Sequence, residues 1–296
     1  MSLRIANGPV SWGVDFADAP GIPSWETVFT EIGEAGYQWC ELGPLGYLPD
    51  DDVRVRAELD ARGLGVAGSY VFEPMENRAR HDEIRDTARR TSERIAALGG
   101  SYLVVIDLVS DERAATAGRA EAAPRLKNEA YRDLLDGLRA VSRVALDHKL
   151  TPVLHPHAGS WVEFEDEVEQ VLADTASDGL ELCIDTGHFA YAGIDPVRFL
   201  AQHRDRVQYL HFKDINPVVH QQVVNESIAF FDAVSLGVFC PLGRGMVDFG
   251  ALAEQLQSGF DGPGTVEQDR DARVATSPLD DARASLDYLR GLGLAG

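Results

Sequence analysis

"LELCIDTGH", residues 180–188, is an apolar run that stops at an aspartate and is followed by Thr-Gly and a histidine. A run this short, closed by turn residues, reads as a buried strand. Taken singly, Asp185 reads as the cap of a following helix and His188 as a loop hydrogen-bonder. The pattern recurs, however. "LTPVLHPH" (150–157), "VQYLHFKD" (207–214) and "GPGTVEQD" (262–269) are also short apolar runs whose last positions hold imidazole, ammonium or carboxylate.

Working outward, further strands are expected at "RIANGPVSW" (4–12), "YQWCELG" (37–43), "LGVAGSYVF" (64–72) and "SYLVVIDL" (101–108). Helical periodicity fills the intervals at 25–36, 51–62, 79–98, 128–148, 163–174, 196–203, 249–259 and 278–291. In "YRDLLDGLRAVSRVALDHK" the apolar residues Leu134, Leu135, Leu138, Val141, Val144 and Ala145 fall three and four apart, one stripe of a helix. Strand and helix candidates alternate throughout, which in a chain of 296 residues predicts an α/β fold, a single-domain (β/α)8 TIM barrel over 1–296. A doubly wound sheet also alternates, but no Gly-x-Gly-x-x-Gly follows the first strand. The connection at 217–247 is long for such a barrel and reads either as a substrate wall or as a surface excursion.

Composition narrows the function classes. Lys and Arg number 27 against 48 Asp and Glu, a net charge of −21. So acidic a surface repels phosphate backbones and anionic membranes, so no nucleic-acid or membrane partner is expected. The 3 cysteines, Cys40, Cys183 and Cys240, are odd in number and widely spaced, which suits buried hydrophobes better than disulfides. "MSLRIANGPVSW" has no signal-like apolar core, and the expected location is the cytoplasm.

In a (β/α)8 barrel the carboxyl ends of the strands converge on one mouth. Glu41, His155 with His157, Asp185 with His188, His211 with Lys213, and Glu267 all fall there. Residues two apart on a strand share a face, so His155 pairs with His157 and His211 with Lys213. A lysine inside the mouth needs an anionic partner such as Asp185 or Glu267. Asp, His and Glu from neighbouring strands make a mixed nitrogen and oxygen donor set, suited to Mn²⁺, Mg²⁺, Co²⁺ or Zn²⁺ and leaving room for water and a substrate oxygen. Asp214 and Asp269 read as cap or loop residues. "PLGRGM" (241–246) lacks the lysine of a phosphate loop and reads as a turn before the N-cap Asp248. Trp12 is a candidate to stack on a sugar ring, or else a core residue, and Arg270 a candidate substrate ligand, or else a surface charge.

These same segments carry a family resemblance. "NGPVSWG", "ELGPLGYLP", "LHPHAGSWVE", "DTGHFAYAG", "LHFKD", "GRGMVDF" and "TVEQD" resemble the xylose-isomerase-like barrels of sugar isomerases and epimerases, and among them the inosose dehydratases. The resemblance implies a divalent metal held by Asp185, His211 and Glu267. Many members have a glutamate on strand five as a further ligand, where this chain has His155. Epimerases of the group use two metal-binding glutamates on opposite faces of one carbon, and this chain keeps only Glu267.

The implied activity is that of a lyase: metal-dependent dehydration of a cyclic keto-polyol such as 2-keto-myo-inositol (scyllo-inosose), through a metal-stabilised enediolate. His157 and Glu41 are candidate base and acid in either order, with His188 a third candidate. Lys213 is placed to stabilise the oxyanion. Glu41, His188, Trp12 and Arg270 are candidate substrate contacts. A small-molecule polyol or keto-sugar is the expected partner, with no nicotinamide or flavin cofactor. Dimers or tetramers are common for such barrels. The rival readings are a keto-sugar isomerase or epimerase and a 3-keto-glycoside β-elimination lyase on the same scaffold; an endonuclease-IV-like repair enzyme is disfavoured by the charge.

Overall fold

The computed structural model describes residues 2–273 and 277–296. Eight parallel strands close a barrel: β1 (Ile5–Asn7), β2 (Trp39–Glu41), β3 (Gly65–Glu73), β4 (Tyr102–Asp107), β5 (Thr151–Leu154), β6 (Glu181–Asp185), β7 (Val207–Phe212) and β8 (Gly264–Val266). β8 returns to pair with β1, so no sheet edge is left. Inside the barrel lie Ala6, Ala67, Val104, Ile106, Val153, Cys183 and Tyr209, a filled core rather than a pore. A larger apolar layer separates the strands from the outer helices. Cys40 and Cys183 are buried, and all three cysteines are free.

The expected helices form, with ends set by local chemistry. Ser24, Asp51, Asp195, Asp248 and Ser277 each accept a first-turn backbone N–H of the helix that follows them. In helix Asn128–Asp147 the buried face holds Leu134, Leu135, Leu138, Val141 and Ala145, the stripe read from the sequence. Among the described residues no helix is long and apolar enough to cross a membrane.

Two strand expectations need correction. The first strand stops at Asn7, and Pro9–Trp12 is a 3-10 turn. Proline cannot donate to a ladder, and Gly13 at φ +79 turns the chain so sharply that a Cβ there would meet the backbone of Ala272 at 2.7 Å. The fifth strand ends at Leu154, so His155, Pro156 and His157 lie just beyond it.

The long connection is a wall, not a surface excursion. It contains helices Pro217–Glu226 and Phe230–Ser235 and a short antiparallel ribbon of Phe239–Cys240 with Asp214–Ile215. "PLGRGM" is a turn held by Asp214, whose carboxylate accepts the backbone N–H groups of Gly243, Gly245 and Val247.

Candidate active site

Strand register brings the polar residues together. Asp185 lies opposite His211 on β6 and β7, and Thr265 lies opposite His211 on β8 and β7. Two residues on, Glu267 donates its backbone N–H to the carbonyl of Phe212 at 3.0 Å, which sets its carboxylate beside Lys213. The amide of His155 continues the β5 ladder by donating to Val105. One ligand atom from each of His155, Asp185, His211 and Glu267 then lies within 4.8 Å of the others, and all four residues are buried.

Asp185 performs both tasks that its position suggested, with different oxygens. Oδ1 accepts the backbone N–H groups of Gly187 at 2.8 Å and His188 at 2.9 Å, capping helix Thr186–Tyr191. Oδ2 faces Nε2 of His155 at 3.3 Å and the Lys213 ammonium at 3.0 Å. The Thr-Gly pair is equally constrained. The Thr186 hydroxyl donates to the carbonyl of Lys213 at 2.7 Å. A Cβ at Gly187 would stand 2.5 Å from Cγ of Lys213, so glycine is what lets the lysine stem pass.

The Lys213 ammonium lies 3.0 Å from Glu267 and 2.7 Å from Asp269 as well. Burial alone would strip its proton, but Asp185, Asp269 and Glu267 hold its pKa well above the usual lysine value. Burial would raise the pKa of Glu267 too, yet His211 and Lys213 pull it down to about 2. Burial would lower that of His211, and the flanking Glu267 and Glu41 carboxylates raise it to about 10.

Two buried imidazole nitrogens, Nδ1 of His155 and Nδ1 of His211, make no hydrogen bond. Nδ1 of His211 sits 3.1 Å from Oε2 of Glu267 and 3.7 Å from Oδ2 of Asp185. Buried imidazole nitrogens beside ionised carboxylates, with no thiolate near, are a donor set that fits a divalent cation once His211 gives up its extra proton to it. His157, His188 and Asp269 make a second close group. The Lys213 ammonium joins the two groups, through Asp185 and Glu267 of the first and Asp269 of the second.

The backbone of Ala158 sets the two imidazoles of that group in opposite states. Its carbonyl is 2.9 Å from Nδ1 of His157, which must donate, leaving Nε2 of His157 as a free acceptor. Its N–H donates to Nδ1 of His188 at 3.2 Å, and Nε2 of His188 faces both the Lys213 ammonium at 3.1 Å and Asp269 at 3.4 Å. Burial, then the neighbouring imidazole of His188, lowers the pKa of His157 well below the ordinary value; burial and Lys213 do the same to His188. Both rings are therefore neutral. The wall packs on them, with Phe230 5.2 Å from His157 and Phe239 5.4 Å from His188, and Phe72 of β3 lies 5.2 Å from His157.

The remaining candidates lie farther from the imidazole pair. Glu41 reaches the interior beneath His211, and its Oε1 accepts from Tyr209 at 2.9 Å, Thr265 at 2.7 Å and His211 Nε2 at 3.0 Å. A carboxylate oxygen so saturated, on a residue 1% exposed and outside the pocket lining, orients His211. Trp12, 3% exposed, lies in the core and donates its indole N–H to Glu31 at 2.6 Å, the core placement of the two expected. Arg270 is buried, pairs with Asp281 at 3.0 Å and is not among the described residues lining the pocket, so it is no surface charge. Asp269, read as a loop residue, joins the site. The same two-residue alternation that paired His211 with Lys213 could have paired it with Glu267. Asp15, in the loop after β1, had no periodic signal, yet it lines the pocket with Tyr70, Phe72, His155, His157, His188, Lys213, Glu267 and Asp269.

The family model for xylose isomerase-like TIM barrels matches residues 29–292. The chain belongs to that family. It is similar to the inosose dehydratase of Geobacillus kaustophilus (strain HTA426), with 31% identity over 295 residues, 97% of this chain and 94% of that protein. The inosose dehydratase of Geobacillus thermodenitrificans (strain NG80-2) is 26% identical over 97% of this chain and 96% of its own length. Within the family the chain is thus inosose-dehydratase-like, in line with the expected lyase. Solved structures of the same fold include the IolI protein with a bound zinc atom, at TM-score 0.73 and 15% identity, covering 98% of either chain. A D-allulose 3-epimerase from Methylomonas sp. in complex with D-allulose has TM-score 0.70 and 16% identity, covering 98% of this chain and 97% of that one.

Proposed function

We propose that this chain dehydrates a cyclic keto-polyol of the 2-keto-myo-inositol type, with a divalent ion held by Asp185, His211, Glu267 and His155. The observation that carries the reading is a buried quartet of potential ion ligands beside two neutral imidazoles whose Nδ1 atoms have opposite hydrogen-bonding sense, in a chain similar over its length to inosose dehydratases. A divalent ion at the quartet supplies a Lewis acid for the ketone oxygen of a substrate bound there. Mn²⁺, Co²⁺, Mg²⁺ and Zn²⁺ all match the donor set.

The chain's own residues supply the proton transfers. His157, with Nε2 unprotonated, removes the proton α to the ketone. The imidazolium so formed on His157 returns that proton to the β-hydroxyl as its C–O bond breaks, with His188, its ring centroid 3.9 Å away, positioning the hydroxyl. One C–H and one C–O bond are lost, one C=C bond forms, and water leaves. Asp269 stabilises the donor ring and the Lys213 ammonium offsets negative charge gathering on the substrate oxygen. Glu41 fixes the tautomer and aim of His211 from below. The phenylalanine wall keeps bulk water from the reacting carbon.

His155 in the place of a second glutamate favours elimination over epimerisation, because a symmetric two-carboxylate exchange has no second carboxylate. The test is to load the protein with Mn²⁺ or Co²⁺, add 2-keto-myo-inositol, and follow enone absorbance and product mass. Enone formation with loss of water is expected. Solvent deuterium entering substrate without water loss would transfer the chain to the epimerase reading, and no reaction with any of the four ions would retire the substrate.

A further inference from the structure

The cavity beside the catalytic groups measures about 40 Å³. On that scale it holds about three waters, too little for the roughly dozen heavy atoms of a six-membered polyol ketone. A substrate whose ketone reaches His155 and Glu267 must leave the rest of its ring outside that cavity. The neighbouring cleft, about 410 Å³, shares Asp15, Tyr70 and Phe72 with it and is otherwise lined by residues such as Phe16, Pro44 and Glu73. Asp15 therefore stands where the reacting end of the ring gives way to the remote end.

Its setting is built rather than incidental. The Tyr70 hydroxyl, from β3, donates to the backbone carbonyl of Asp15 at 2.8 Å and so ties the loop to the barrel. Next to it Phe16 stacks on Phe72 with ring centroids 5.8 Å apart, and Phe72 in turn packs on His157. Unlike the other carboxylates of the mouth, that of Asp15 makes no hydrogen bond or ion pair with any described residue; Asp269, Lys213 and Glu267 act on it electrostatically. Burial, then the nearby Asp269 carboxylate, pushes its pKa up to about 7, so near neutrality the group both donates and accepts hydrogen bonds.

We infer that Asp15 is the specificity-determining residue of this pocket, binding a ring hydroxyl remote from the ketone. This rests on the keto-polyol reading above. A carboxyl with no protein partner at a pocket junction favours a substrate that brings a hydroxyl to it, and loses free energy with one that leaves it dry and unpaired. The loop holding it is fixed by Tyr70 and the Phe16–Phe72 stack, so the group waits in place instead of being recruited.

The experiment uses the metal-loaded chain, its Asp15→Ala and Asp15→Asn variants, and 2-keto-myo-inositol with a series of its singly deoxygenated analogues. Asp15→Ala should raise KM for the parent compound roughly 10- to 100-fold, with a smaller change in kcat, and Asp15→Asn should recover part of the loss. One analogue should bind wild type as weakly as the parent binds Asp15→Ala, and should lose nothing further in the variant. If every analogue loses as much as the parent in Asp15→Ala, or if the variant loses kcat alone, the assignment is overturned. Calorimetric binding of the same compounds covers the case of no turnover. The hydroxyl-dependent loss in binding would then sustain Asp15 while the dehydration reading falls, and its absence would remove both.

Discussion

Two halves of the barrel mouth end their strands in carboxylates and use them in opposite ways. On one side stand Glu41 of β2 and Asp107 of β4. Oε1 of Glu41 accepts from Tyr209, Thr265 and His211. Asp107 accepts the backbone N–H of Met75 at 3.0 Å and of Trp161 at 2.8 Å, pinning the loop that carries His157. On the other side stand Asp185 of β6 and Glu267 after β8, each offering an oxygen to Lys213 and to an imidazole. An oxygen saturated by several fixed donors, with no contact to the lysine, is spent on holding structure. One that faces ammonium and imidazole remains able to exchange its partner for another cation, and chemistry gathers around it.

The contrast is broken most severely by removing the exchangeable side. Asp185→Ala and His211→Ala should abolish ion binding, read by elemental analysis of purified protein, and drop turnover by several orders of magnitude. Activity that survives chelation in either variant would end the ion-based reading. His157→Gln should lower kcat by about 10²- to 10⁴-fold while ion content stays at the wild-type level. Loss of ion together with activity would instead make His157 part of the ion site.

On the structural side, Glu41→Gln should weaken ion affinity about 10- to 100-fold, measured by competition with a chelating dye, while leaving residual turnover at saturating ion. A variant with unchanged affinity would show that Glu41 does not orient His211. A pH measurement separates the neutral imidazoles from the charged cluster. Burial depresses the pKa of His157 in the folded chain below its ordinary 6.5. As pH falls below that value the unfolded chain takes up a proton that the folded chain refuses, so stability is lost on acidification. In urea melts of ion-free protein, the stability of wild type relative to His157→Gln should fall by about 1 kcal/mol between pH 6.5 and about 5.5. A constant difference would mean that His157 is charged when folded. The smallest effect concerns Trp12→Phe, which should cost about 1–2 kcal/mol through the lost bond to Glu31 and leave KM unchanged. A raised KM would restore Trp12 as a substrate contact.

How much of this was legible depends on which interactions are local. The alternation of apolar runs with helical stripes is a period of two against a period of 3.6, visible in any window, and it yields the barrel with strand ends displaced by a few residues. Asp185, His211 and Glu267 were legible for the same reason: each interrupts an apolar run at its carboxyl end, and a closed parallel barrel brings such ends together. The overlong first strand followed from reading "GPVSW" as extended, when a proline and a left-handed glycine bend it into a turn. Asp269 was within reach of the alternation argument and was passed over because it follows the apolar run instead of ending it.

What sequence by itself determined about this protein is the set of groups: a (β/α)8 chain with aspartate, histidines, lysine and glutamate at the ends of its later strands, because periodicity and strand direction are properties of neighbours along the chain. Tertiary structure alone decided what each group does. Glu41 became a support because Tyr209, Thr265 and His211 converge on its oxygen from two other strands. Nδ1 donates in His157 and accepts in His188 because one peptide, that of Ala158, meets both rings. Asp15 entered the pocket because Tyr70, distant in sequence, holds its backbone. Hydrogen bonds between residues far apart in the chain set protonation and orientation, and they exist only once the barrel has closed.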